Sequence, residues 1–125
     1  MKTKEAIYLS PETLYRLGNS GSPLLTRVRP GEVDTIEVNG ITMIVANGKG
    51  ISLYNKVGLD LAPLSGWVWE IKSHTQMPLG LKLVKDDKPE GHYSLCPTRN
   101  MPASELVSLL EKVVIHCKKA FKKKA

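Results

Sequence analysis

The residues able to do chemistry in this chain sit in three short blocks: Leu14-Tyr15-Arg16, Gly50-Ile51-Ser52-Leu53-Tyr54-Asn55 and His92-Tyr93-Ser94-Leu95-Cys96-Pro97. Each sets polar or aromatic side chains inside an otherwise apolar run, the pattern that a cleft between sheets requires. A guanidinium holds two oxygens of an anion at once, a strand hydroxyl donates and accepts, and an imidazole titrates near neutral pH. Tyrosine rings add flat apolar faces with a polar tip. The sequence has no GxGxxG fingerprint, P-loop, HExxH or nucleophile elbow. Nothing marks a base for Ser52, so a nucleophilic serine is not indicated. His74, His92 and His116 are scattered without metal-ligand spacing, and Cys96 and Cys117 form no CxxC. The expectation is therefore no metal and two free thiols. His116, next to Cys117, reads as the edge of an apolar stripe.

These blocks need strands to hold them. Residues 33–38 alternate apolar and polar, and Asn39-Gly40 supplies the two positive-φ residues of a tight hairpin into Ile41-Thr42-Met43-Ile44-Val45. Branched and aromatic residues predict further strands over 51–55, 67–72, 81–85 and 93–96. Trp67 and Trp69 fall on one face of such a strand, where burial in the core is their simplest use. From Pro102 the apolar period becomes helical through Leu106, Leu109, Leu110, Val113, Val114, Cys117 and Phe121. Glu105 lies near the start of this helix and lysines near its end, as the helix dipole favours. Ser10 and Pro11 fit the start of a short helix through Leu17, and Leu14-Tyr15-Arg16 equally fits a strand. The class is α+β: a small, split, mostly antiparallel sheet with a C-terminal amphipathic helix packed against it.

With 125 residues the chain reads as one domain, 1–125. Its formal charge of +6 points to nucleic acid, but Lys118, Lys119, Lys122, Lys123 and Lys124 all lie in a basic tail, 118–125. Removing those five lysines takes +6 down to +1, so the charge describes a solubilising helix end and not a charged face. Lys2 and Lys4 precede no apolar signal region, and no apolar run approaches the length of a membrane span. A soluble protein without membrane insertion is expected, and any export must use a route that needs no cleavable signal peptide.

Taken together and in order, the blocks resemble the small type VI secretion effector toxins with an ADP-ribosyltransferase-like fold. Thr13-Leu14-Tyr15-Arg16 is similar to the family's opening strand, and Gly50-Ile51-Ser52-Leu53-Tyr54-Asn55 to its Gly-Thr-Ser-x-aromatic-Asp block. Met77-Pro78-Leu79-Gly80-Leu81 resembles its Ile-Pro-x-x-Leu turn, and His92-Tyr93-Ser94-Leu95-Cys96-Pro97 with Met101 its His-Tyr-Thr-Ile-Met-Pro block. The resemblance implies NAD as substrate, held in a cleft between two small sheets, with ADP-ribose transfer or NAD hydrolysis as the reaction. It implies Ser52 and His92 as the catalytic pair and Tyr15, Arg16, Tyr54 and Tyr93 as NAD-binding residues. Arg16 would hold the diphosphate or ribose, Ser52 would orient the ribose or Arg16 through its hydroxyl, and Tyr54 or Tyr93 would stack on a ring. It further implies action in the cytoplasm of a recipient cell, a cognate immunity protein for the producing cell, and a protein or nucleic-acid acceptor.

The chain departs from the family pattern at three places. Ile51 stands where the family has threonine, Asn55 where it has aspartate, and the Glu-x-Glu strand is missing. Glu90, two residues before His92, is the candidate carboxylate, in what reads as an exposed turn after Asp86-Asp87-Lys88. The residues leave two other functions open. One is an NAD-binding or protein-binding toxin without turnover. The other is a nucleic-acid binder that uses the tail lysines with Arg27 and Arg29.

Overall fold

The computed structural model describes residues 6–29 and 31–124, so the N-terminal lysines Lys2 and Lys4 lie outside the described residues. Strands β1 (Leu14–Gly18), β4 (Ile51–Tyr54), β5 (Gly66–Ile71), β6 (Leu81–Lys85), β7 (His92–Pro97) and β9 (Cys117–Lys123) form one sheet in the order β6-β7-β4-β1-β5-β9. A second sheet, β2-β3-β8, joins β2 (Thr35–Val38), β3 (Ile41–Ile44) and β8 (Met101–Pro102). All the strand pairings are antiparallel. Among the described residues two helices accompany the sheets, α1 (Lys56–Leu61) and α2 (Ala103–Val114). The architecture is α+β, as the sequence predicts.

The β2–β3 hairpin turns through Asn39 (φ 52°) and Gly40 (φ 78°), which realises the expected mirror-image turn. The main core lies between one face of the large sheet, the small sheet and α2. It contains Leu14, Leu53, Leu83, Leu95 and Met101 together with Leu106, Leu110 and Val113 of α2. A second cluster, Leu17, Leu59 and Val68, fills the other face under α1.

Several expectations are corrected. Residues 14–18 form a strand and not a helix, because β1 has sheet partners on both sides. Ser10 caps nothing helical. Its hydroxyl donates to the Lys72 carbonyl (2.8 Å) and accepts from the Thr75 N–H (2.8 Å). The amphipathic helix is present but ends at Val114, and the C-terminal element is a strand. Residues 117–123 pair along β5, whose second edge would otherwise be left open. The four-residue spacing of Cys117 and Phe121 fits a helix, yet strand pairing decides their conformation.

The tail lysines thus serve an edge strand and not a helix end. Lys119 Nζ lies 4.8 Å from the centre of the Trp67 ring and donates to the Ser20 carbonyl (2.9 Å). Lys123 Nζ donates to the carbonyls of Ala62 and Leu64, both at 2.9 Å. Trp67 and Trp69 are only half-buried, and their neighbours Val68 and Ile71 take the core positions. His116 is exposed.

Candidate active site

Strands β4 and β7 pair with Ser52 opposite Ser94 and Tyr54 opposite His92. Side chains alternate faces along a strand. Ile51, Leu53, Tyr93 and Leu95 therefore enter the main core, while Ser52, Tyr54, His92 and Ser94 share the opposite face. This alternation separates the two tyrosines that the sequence treats alike. Tyr93 is 1% exposed, its ring lies in the main core, and its hydroxyl donates to the half-buried Glu12 Oε2 (2.6 Å). Burial and the Glu12 carboxylate push its phenol far above the ordinary value. The expectation of Tyr93 as a stacking residue in the cleft is corrected accordingly. Tyr54 lies edge-on to His92, with ring centres 5.4 Å apart, and Tyr15 is its register partner on β1. Tyr15 in turn meets the edge of Phe121 at 6.4 Å. An aromatic row thus runs across this face from β9 to His92.

His92 is held from behind. Its Nδ1 lies 2.6 Å from Asp86 Oδ1, and the Ser94 hydroxyl donates to Asp86 Oδ2 (2.8 Å). Burial alone would raise the Asp86 carboxyl, but hydrogen bonds from His92 and Ser94 hold it below the usual range. Ser52, Asp86, His92 and Ser94 line one open cleft of about 410 Å³ together with Glu32, Lys49 and Lys88. That volume falls within the ~300–1,000 Å³ typical of small-molecule sites. Gly50 forms part of the wall, and a Cβ there would collide with the Leu95 carbonyl.

Arg16 takes a different place from the one its type suggests. It is 1% exposed and pairs through Nη1 with Glu32 Oε2 (2.9 Å) and the Ser52 carbonyl (3.0 Å). Its Nη2 faces the carbonyls of Leu24 (3.3 Å) and Arg27 (3.4 Å), and its Nε has no protein partner among the described residues. Glu32 Oε2 also accepts the Ser52 N–H (2.7 Å). Arg16 and Glu32 together grip the Ser52 backbone, so Arg16 meets Ser52 through a carbonyl and not through the serine hydroxyl. The expected hydroxyl contact is corrected on that point, and both terminal nitrogens of Arg16 already face protein oxygens. Burial raises and these donors lower the Glu32 carboxyl, with a net shift below the ordinary value. Arg29 sits alongside, its Nη2 donating to the Leu17 carbonyl (2.9 Å) and its N–H to Glu32 Oε1 (2.7 Å).

Of the six sequence candidates, the structure gathers Ser52, Tyr54 and His92 on one face with Tyr15 behind them. It puts Arg16 beneath Ser52 and Tyr93 in the core. Asn55 caps α1, accepting the Gly58 N–H (2.9 Å), so its amide serves the fold. Glu90 is exposed and borders a separate cavity with Asn55 and Asp87. The carboxylates that reach the cleft are Glu32 and Asp86, which sequence reasoning missed. Ser94 was legible, since it stands two residues after His92 and must share its face. Asp86 had only the signal of a tight connection between two neighbouring strands, and Glu32 had none.

Among the described residues no cluster of three or more His, Cys, Asp or Glu side chains is placed to hold a metal. No helix among them is long and apolar enough to cross a membrane. Cys96 and Cys117 are free thiols, and burial pushes each up to about 11. Residues 12–122 match the family model described as Tse2 ADP-ribosyltransferase toxin. No curated protein and no solved structure matches the chain significantly.

Proposed function

Since the chain belongs to the Tse2 ADP-ribosyltransferase toxin family, we propose that it takes NAD as substrate in the cleft lined by Ser52 and His92 and breaks the bond between nicotinamide and ribose. The family implies the substrate. What supports the location is one observation: His92, anchored to Asp86, shares an open cleft with Ser52, beside the edge where β4 keeps a single register pair with β1.

In this reaction the C1′–N bond breaks and its electron pair leaves with nicotinamide, which becomes neutral. The ribose carbon takes on oxocarbenium character. Water or an acceptor then adds at that carbon and gives up a proton to solvent or to a nearby base. The protein's contribution is to hold the dinucleotide bent and to place fixed dipoles around the developing charge. Ser52 and His92 contact the ribose, and the Tyr54 ring stacks beside the nicotinamide. Lys49 and Lys88 supply positive charge for the diphosphate. Arg16 and Tyr15 are positioning residues. Arg16 acts through Glu32 and the Ser52 backbone, and Tyr15 acts by packing behind Tyr54.

As a toxin of this type the protein would act in the cytoplasm of a recipient cell and require an immunity protein that covers the cleft in the producer. The test is controlled expression in a bacterium of the wild type, Ser52→Ala and His92→Ala, following growth and cellular NAD together. Growth arrest with NAD loss or ADP-ribosylated products, relieved by both substitutions, is the expected result. Arrest that persists unchanged in both variants would move the toxicity to a binding surface, and absence of arrest in the wild type would overturn the reading.

A further inference from the structure

We propose that Asp86 fixes His92 in the tautomer that carries its proton on Nδ1, so that Nε2 faces the cleft as a hydrogen-bond acceptor for a ribose hydroxyl of NAD. This rests on the NAD-cleaving reading of the cleft. The Nδ1–Oδ1 contact of 2.6 Å is a short hydrogen bond between the ring and the carboxylate. An ionised carboxylate only accepts, so the proton between the two groups belongs to Nδ1. A neutral imidazole then keeps its lone pair on Nε2. That atom has no protein partner among the described residues, and it is not one of the fully buried unpaired atoms.

The other oxygens around the cleft point the same way. Both carboxylate oxygens of Glu32 are occupied, by Arg16, the Ser52 N–H and the Arg29 N–H. Both oxygens of Asp86 are occupied as well, by His92, the Lys88 N–H (3.3 Å) and Ser94. A hydroxyl of the substrate that needs a strong acceptor therefore meets His92 Nε2. As the ribose becomes cationic, the Asp86 charge stabilises it through the ring, so the pair does together what a single carboxylate at the cleft surface would do. Besides Asp86, the titratable groups around the ring are Tyr54 on β4, Lys88 on the β6–β7 connection, and Glu32 and Lys49 across the cleft. Asp86 is thus a positioning residue, and His92 is the group that touches substrate.

The assignment is testable without turnover. Nitrogen-15 NMR of the histidine rings in the wild type, at a pH where His92 is neutral, reads which nitrogen bears the proton, and loss of the signal in His92→Gln identifies the ring. The expected result is Nδ1–H in the wild type and in Ser94→Ala, changing to Nε2–H in Asp86→Ala. Nε2–H in the wild type, or the same tautomer in the wild type and Asp86→Ala, would overturn the proposal. Addition of NAD should then shift the His92 Nε2 resonance, and an unmoved resonance at saturating NAD would overturn the hydroxyl contact. Ligand-side saturation transfer reports NAD binding separately. Failure of NAD to bind would sink the proposed function and the ribose contact with it, while the tautomer measurement stands on its own. In steady-state nicotinamide release, Asp86→Ala should lose kcat more than NAD affinity.

Discussion

Along its edge with β5, β1 keeps five register pairs, from Leu14↔Ile71 to Gly18↔Trp67, whereas along its edge with β4 it keeps one, Tyr15↔Tyr54. The continuous edge is sealed by apolar packing of Leu17 and Val68 under α1. At the open edge the backbone groups that a ladder would use are met by charged side chains. Glu32 accepts the Ser52 N–H, Arg16 donates to the Ser52 carbonyl, and Arg29 donates to the Leu17 carbonyl. A sheet can therefore divide without leaving buried backbone unsatisfied, provided that side chains replace the missing strand. The division also frees one face of β4 and β7 to line a cleft.

The largest effect should come from breaking the open edge. Replacing Glu32 with Ala takes the carboxylate from the buried Arg16 charge, which keeps only carbonyl acceptors, and leaves the Ser52 N–H without its partner, and the cost should be about 3–5 kcal/mol in urea unfolding. A loss below about 1 kcal/mol would show that the division does not depend on the pair. On the continuous edge, Val68→Ala removes buried apolar surface only. It should cost about 2 kcal/mol and leave the His92 ring resonances in place.

Acid should separate the two edges further. Glu32 and Asp86 titrate lower in the folded chain than their ordinary values of 4.5 and 3.8. Their contribution is complete above those values and is lost as pH falls through the lower folded ones, so stability should decline from ~pH 5 down to ~pH 2. Glu32→Gln should show a shallower decline, which urea midpoints across that range would read. The smallest change belongs to the projecting hairpin, where Ile36 is 47% exposed: Ile36→Thr should stay within about ±0.5 kcal/mol.

Much of this contrast was legible in the sequence. Asn39-Gly40 announced its hairpin, and the apolar blocks around Ser52 and His92 announced strands with one polar face. Period-two alternation alone would have separated Tyr93 from His92 once β4 and β7 were paired. What escaped were the features decided at long range. Cys117 and Phe121 keep a helical spacing, and only the free edge of β5 makes a strand of them. Arg16 has the side chain of an anion binder, and only the tertiary fold brings Glu32 to claim it. Asn55 and the short helix it caps carry no local signal beyond a single polar residue after a strand.

Cleavage of NAD in the cleft of Ser52 and His92 is read by nicotinamide release from NAD with the purified protein, measured for the wild type, Ser52→Ala and His92→Ala at matched circular dichroism. Release by the wild type that is lost in both variants is the expected result. Equal release by all three, or none by a folded wild type that binds NAD, would contradict it.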